Sequence, residues 1–134
     1  MPASGIVVVH NNRSFLDATV AALRRAGYDA IGFSGGIEAL KVITAARAVD
    51  VLVTRIRFGE GQPNGISLGL MTRRQHKAVK IIFTTQDDMA EYARDVGSVL
   101  LAPVTPDAVV EKVTELLASP SPGVSPGENR WAPR

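Results

Sequence analysis

The chain contains no cysteine, and this absence removes several kinds of chemistry at once. Without a thiol there are no disulfides, no thiolate metal sites and no cysteine nucleophile. The sequence also lacks a run of about 18 apolar residues, so we expect no membrane-spanning helix. Its first residues have no basic segment of the kind that opens a signal peptide. These absences predict a cytoplasmic protein that does not associate with membranes.

Aromatic residues and net charge are also scarce. Aromatic side chains make up 5% of the 134 residues, and the formal net charge is only +2. The densest basic group, from Arg73 to Lys80, has no interleaved aromatic residue and no recognition-helix pattern. A solvated helix end explains this group better than a nucleic-acid surface does. We therefore expect no nucleic-acid partner.

Five short apolar runs, rich in β-branched residues, recur along the chain. They occupy residues 6–9, 30–33, 51–54, 81–83 and 99–101. Because the runs do not alternate with polar residues, they predict strands that are buried on both faces of a parallel sheet. Segments with helical spacing separate them, so the element order is βαβαβαβαβα and the fold class is α/β. The length suits one domain.

The residues at the carboxyl ends of these runs are the candidates for a common site. In open parallel sheets, ligands and chemistry collect beyond the carboxyl ends of the strands. The residues that follow or end four of the runs are His10 and Asn11, Arg55, Thr84 and Ala102. A histidine, an amide, a guanidinium and a hydroxyl would then share one edge.

Local signals set the expected limits of the first and last helices and of the domain. Ser14-x-x-Asp17 resembles a capping box at the start of the first helix. Thr105-Pro106-Asp107 combines a cap residue, proline and an acid at the start of the last helix. Residues 1–118 are the predicted domain, and the Ser/Pro/Gly-rich residues 119–134 are predicted to form a disordered tail. Trp131 in that tail is either a docking anchor or, as we favour, an incidental exposed residue.

Several segments together resemble the receiver domain of bacterial response regulators, from about residue 5 to residue 118. The segments that carry the resemblance are Ile6–Asn12, Ala21–Tyr28, Asp50–Arg57, Ile81–Thr85 and Val99–Pro103. The resemblance implies a doubly wound, five-stranded parallel sheet, the (βα)5 flavodoxin-like receiver fold. It also implies a cis peptide at Ala102–Pro103.

The same comparison shows which parts of the family's phosphorylation site are missing. The family's magnesium-binding acidic pair corresponds to His10 and Asn11, its phosphorylated aspartate to Arg55, and its lysine to Ala102. Only the hydroxyl residue, Thr84, remains, and the aromatic switch position on the fifth strand is Val99. Magnesium prefers anionic oxygen ligands, and arginine cannot form an acyl phosphate. We therefore expect a degenerate receiver, a pseudo-receiver, with no bound metal or other cofactor.

Two hypotheses explain the altered pocket, and the first is favoured. In the structural hypothesis, Arg55 fills the space of metal and acceptor and pairs with Asp87 or Asp88 at the start of the fourth helix. In the ligand hypothesis, the arginine and its neighbours hold an anion, since guanidinium suits phosphate and carboxylate. A catalytic role for His10 has little support because no organised acid or base accompanies it. We predict that the protein is not an enzyme.

The expected function is that of a phosphorylation-independent protein-interaction module in bacterial two-component signalling. In the receiver family, the fourth helix, fifth strand and fifth helix commonly form the partner or dimer face. The predicted interaction residues on this face are Tyr92, Arg94, Asp95 and Val99. We expect a protein partner that belongs to a signalling system, or a homodimer through this face. The alternative is a sensor for an anion or small molecule at the pocket.

Overall fold

The five predicted strands form one parallel sheet, with a helix after each strand. The computed structural model describes residues 3–58, 61, 63–85, 87–118 and 130–131, with the side chains of 87–89 excepted. The elements are β1 (Gly5–Val9), α1 (Arg13–Arg25), β2 (Asp29–Phe33), α2 (Gly36–Ala45), β3 (Val51–Arg55), α3 (Gly65–Gln75), β4 (Lys80–Thr85), α4 (Asp87–Arg94), β5 (Ser98–Leu101) and α5 (Pro106–Leu116).

The strand order is β2-β1-β3-β4-β5, and every neighbouring pair is parallel. This order places β1, β3 and β4 inside the sheet and β2 and β5 at its edges, and the inner strands need continuous apolar runs on both faces. The predicted doubly wound α/β fold is therefore confirmed. All the strands point the same way, so the sheet has one amino edge, where the strands begin, and one carboxyl edge, where they end.

Two apolar cores, one on each face, bury alternate side chains of the same strands. On one face, Val8 and Val53 pack with Leu16 of α1 and Val109 of α5. On the other face, Leu52 and Phe83 belong to the core that includes residues of α2, α3 and α4. Burial on both sides fixes each strand's register, because a slip by one residue would exchange the two sets of side chains.

The helix starts agree with the sequence signals at α5 but not at α1. The hydroxyl of Thr105 accepts a hydrogen bond of 3.1 Å from the amide of Ala108, with Pro106 opening α5. In α1 the cap is Asn12, whose side-chain oxygen accepts a bond of 3.1 Å from the amide of Phe15. The capping box predicted at Ser14 is therefore wrong, and α1 begins one residue before Ser14.

The predicted limit of the domain at residue 118 stays a prediction, because residues 119–129 lie outside the described residues. Arg130 and Trp131 are described, and both contact the domain. Within the described part of the chain, no helix is long and apolar enough to cross a membrane.

Candidate functional site at the carboxyl edge of the sheet

Register brings the predicted site residues to one edge. Arg55 and Thr84 are direct neighbours at the ends of β3 and β4. The amide of His10 bonds to the carbonyl of Phe33 (3.1 Å), and the amide of Ala102 bonds to the carbonyl of Thr85 (2.8 Å). These backbone bonds hold the segments that follow β1 and β5 beside the neighbouring strand ends.

These strand ends surround a cavity of about 290 Å³. Four predicted residues line it: His10, Arg55, Thr84 and Ala102. The fifth, Asn11, is exposed and joins the group through a contact with Arg55. The peptide between Ala102 and Pro103 at the cavity wall is cis, as the resemblance implies.

Arg55 crosses from β3 to the loop that follows β1. Its Nη1 donates to Oδ1 of Asn11 over 2.6 Å. A hydrogen bond from a charged donor is stronger than a neutral one, so this contact links the end of β3 to the loop that follows β1. The side chains of Asp87 and Asp88, the predicted ion-pair partners, lie outside the described residues, and that pairing stays a prediction.

His10 is half-buried and neutral at physiological pH. Burial, and then the positive charge of Arg55, lower the pKa of His10 from 6.5 to about 4. The Nδ1 atom accepts a hydrogen bond of 3.0 Å from the amide of Asn12, so the remaining ring proton belongs on Nε2. The ring also lies 4.6 Å from the ring of Phe15, measured between centroids. His10 therefore contributes a neutral hydrogen-bonding group to the cavity wall.

The hydroxyl of Thr84 is the one buried side-chain polar atom of this cavity without a hydrogen-bond partner among the described residues. The residue is only 6% exposed. An unsatisfied buried hydroxyl costs about 1–3 kcal/mol, so a group that accepts or donates a bond there would be stabilised.

The loop between β3 and α3 is held by close backbone approach. The amide of Gly65 donates to the carbonyl of Ile56 over 2.8 Å. A β-carbon on Gly65 would overlap the carbonyl oxygen of Arg55. Asn64 then caps α3 by accepting a bond of 2.9 Å from the amide of Ser67. Glycine at position 65 thus allows α3 to start directly beside the end of β3.

Sequence reasoning did not single out the other seven residues of the cavity wall, among them Asn12, Phe15 and Arg57. Asn12 and Phe15 belong to the start of α1, which begins earlier than predicted. Arg57 lies two residues after Arg55, the spacing that returns to the same side of an extended chain. That spacing could have identified it as a second positive charge at the cavity.

These residues do not fit a magnesium site. Magnesium needs hard oxygen ligands in octahedral geometry. The cavity instead offers a neutral imidazole, an amide oxygen that already accepts from Arg55, and the permanent charge of the guanidinium. Among the described residues, no group of three or more His, Asp or Glu side chains could hold a metal ion.

The predicted interaction residues lie on α4, on β5 and in the turn between them. Tyr92 is 66% exposed, and Arg94 and Asp95 are exposed as well. Val99 is only partly exposed because it packs against the core beneath α4. Leu101, which the prediction did not include, is 44% exposed. The apolar part of this surface therefore depends more on Tyr92 and Leu101 than on Val99.

Comparisons of the whole structure identify the fold as that of CheY-like receiver domains. A receiver domain protein (CheY-like) from Methanospirillum hungatei is similar with a TM-score of 0.76 and 21% identity, over 87% of this chain and 94% of that one. A receiver protein from Sinorhizobium medicae gives 0.76 and 22%, over 87% and 96%. The chemotaxis protein CheY4 of Vibrio cholerae gives 0.73 and 21%, over 86% and 99%. No protein-family model and no curated protein sequence matches the chain.

Proposed function

We propose that this chain is a pseudo-receiver that works in bacterial two-component signalling as a protein-interaction module, independently of phosphorylation. The observation that carries the proposal is the bond between Arg55 and Asn11. It occupies the place where a receiver of this fold would hold its metal and its phosphorylated aspartate. The protein then presents one surface to its partner without a phosphoryl group.

The chemistry of the strand ends supports independence from phosphorylation. Arg55 has no carboxylate to form an acyl phosphate, and its charge persists at any physiological pH. Ala102 has no amine to contact a phosphoryl oxygen. Incubation with acetyl phosphate and magnesium should therefore add no phosphoryl group to the chain, neither an acid-stable one nor an acyl phosphate that hydroxylamine removes. Mass spectrometry of the intact chain measures this. A phosphorylated aspartate at the end of any strand would contradict the proposal.

The proposed interaction surface consists of Tyr92, Arg94, Asp95, Val99 and Leu101. An exposed tyrosine beside an exposed leucine, rimmed by charges of both signs, matches the composition of protein interfaces. The partner is a signalling protein, and a second copy of the chain is the other candidate for this face.

A pair of charge-introducing variants tests this surface against a matched control. Tyr92→Glu and Leu101→Glu place a carboxylate on the surface, while Leu70→Glu places one on α3, where Leu70 is 48% exposed. Crosslinked pull-downs from the source cells should lose the partner with the first two variants and keep it with the third. Light scattering of the purified variants shows whether a homodimer is lost instead. Retention of both partner and oligomeric state in all three would refute the surface.

Anion binding at the cavity is the second candidate function. The specific observation in its favour is the buried, unpartnered hydroxyl of Thr84 in a cavity that Arg55 and Arg57 also line. Guanidinium groups and a hydroxyl together suit phosphate or carboxylate oxygens.

Arg55→Ala separates the two candidates. If the cavity is a sensor, inorganic phosphate or acetate should raise the unfolding temperature of the wild type, and the variant should lose that response. If Arg55 is structural, neither anion stabilises the wild type, and the variant is simply less stable. Arg25→Ala, an exposed arginine on α1, is the control for a general loss of positive charge.

A further inference from the structure

Arg130 is buried at the amino edge of the sheet, opposite the candidate site. The residue is only 3% exposed. Its Nε donates to Oδ2 of Asp29 (3.2 Å), and its Nη1 donates to Oδ2 of Asp50 (3.0 Å) and to the carbonyl of Ala48 (3.3 Å). Its Nη2 donates to the carbonyl of Ala3. Each nitrogen of the guanidinium therefore has a partner.

The amino edge is shaped to receive this side chain. Asp50 is itself buried and also accepts a bond of 2.7 Å from the amide of Gly5. A β-carbon on Gly5 would overlap the Arg130 side chain, so glycine leaves the space that the guanidinium occupies. We call the group of Asp29, Asp50 and Gly5 the acidic notch. The buried carboxylate of Asp50 thus has two polar partners, the guanidinium of Arg130 and the amide of Gly5.

Trp131 adds an aromatic contact and a second bond to the same notch. Its Nε1 donates to Oδ1 of Asp29 over 3.3 Å, so Asp29 contacts both residues of the pair. The indole packs against the core beneath α2 and α3, and the guanidinium lies 5.8 Å from its ring centroid. The carbonyl of Arg130 also accepts a bond of 3.0 Å from the amide of Arg47. The position of Arg130 and Trp131 is therefore fixed by a backbone hydrogen bond, by ion pairs of the guanidinium and by packing of the indole ring.

We infer that the acidic notch is a peptide-recognition site for an arginine–tryptophan pair, and that its ligand is Arg130–Trp131 of the same chain. Arg130 and Trp131 then form a clasp at the amino edge, where β1, β2 and β3 begin. Arginine is required because its planar fork reaches two carboxylates and two carbonyls at once, which a lysine ammonium does not do. This site is separate from the cavity at the carboxyl edge and does not depend on the function proposed for it.

The fluorescence of Trp131 tests the clasp directly, since it is the chain's single tryptophan. In the full-length wild type, emission should lie at shorter wavelength than in the free peptide of residues 127–134, and acrylamide should quench it less. Arg130→Gln and Asp29→Asn should move both values to those of the free peptide. Arg25→Gln should leave them unchanged. Peptide-like values in the wild type would overturn the inference, and so would unchanged values in both Arg130→Gln and Asp29→Asn.

Recognition in trans gives a second test that does not depend on the stability of one variant. The full-length double variant Arg130→Ala, Trp131→Phe contains no tryptophan, so the only indole signal comes from added peptide 127–134. Binding should shift the peptide's emission to shorter wavelength, and a peptide carrying Arg130→Gln should show no shift. Equal shifts with both peptides would overturn recognition of the arginine. An absent shift with the natural peptide, while circular dichroism shows a folded protein, would overturn the site itself.

Oligomeric state decides whose segment occupies the notch. Light scattering of the wild type should show the same mass as Arg130→Gln, because the contact lies within one chain. A wild-type dimer that dissociates in Arg130→Gln would assign the segment to a second copy and overturn the clasp.

Discussion

The pKa of His10 should respond to the charge of Arg55, and Arg55→Met isolates that charge. Methionine removes the guanidinium while keeping an apolar stem of similar reach. Burial is the larger cause and the arginine the smaller cause of the change from 6.5 to about 4. The variant's pKa should therefore rise but stay well below 6.5, because the larger cause, burial, remains.

Titration of the histidine ring protons by NMR measures this value directly. The chain has two histidines, and the resonances of His76 provide an internal reference because its ring bonds to the carbonyl of Ile43, remote from Arg55. A wild-type His10 that titrates near 6.5 would refute the burial described above. An identical value in wild type and Arg55→Met would refute the electrostatic contact.

The same pKa predicts how stability depends on pH. Between about 6.5 and 4 the unfolded chain binds a proton at His10 that the folded chain does not bind, so stability falls as pH falls through this window. The full difference in pKa would correspond to about 3 kcal/mol. Because the ring is only half-buried, solvent screening reduces the expected loss to about 1 kcal/mol. His10→Gln should lose that much of the pH dependence in urea unfolding, and a variant with an unchanged dependence would contradict the assignment.

Three further substitutions test the packing that positions the site, each by urea unfolding. Gly65→Ala should cost about 3 kcal/mol, because the new methyl overlaps the carbonyl of Arg55; a neutral effect would contradict the close approach. Phe83→Ala should cost about 3–5 kcal/mol, since the ring is fully buried in the core beneath α3; a loss below 1 kcal/mol would mean that the ring is not packed there. Thr105→Ala should cost about 1 kcal/mol by removing the cap of α5, whereas Thr105→Ser should retain most of it.

The sheet could be predicted from the sequence because its central strands are buried on both faces. A strand in that position needs continuous apolar residues, and such runs are rare elsewhere in this chain. Val51–Val53 and Ile81–Phe83 supply them, and both lie in the core in the structure. Parallel pairing then places all strand ends at one edge, so the predicted site residues meet there.

The start of α1 shows where local signals mislead. Serine and asparagine are about equally good caps, and Asn12 lies only two residues before Ser14, the predicted cap. The structure uses Asn12, and Asp17 then pairs with Arg13 over 3.4 Å instead of closing a capping box at Ser14. Phe15, whose amide is capped by Asn12, lines the cavity wall.

Contacts between distant segments were the least predictable. Arg55 and Asn11, which share a hydrogen bond, are 44 positions apart in the sequence, and Arg130 and Asp29 are 101 positions apart. The Ser/Pro-rich composition around Trp131 led us to favour an incidental, exposed tryptophan. Composition indicates that such a segment cannot form a core of its own, but it does not indicate whether a single residue binds elsewhere. The docking of Arg130 depends on Asp29 and Asp50, and their positions at the starts of strands gave no sign of a binding role.

The charge at the carboxyl edge decides how this fold can change state. In a protein switched by phosphorylation, a change in charge supplies the differential free energy between two conformations. Here Arg55 keeps the same charge, and its solvent-exposed bond to Asn11 is worth on the order of 1 kcal/mol. An energy of that size makes the conformation with the bond broken the minor one. A partner that favours the broken form must supply the difference from its own binding energy, whereas one that recognises the prevailing form binds without that cost. The exposed Tyr92 and Leu101 belong to the prevailing form, so Arg55→Ala should change partner affinity less than Tyr92→Glu does.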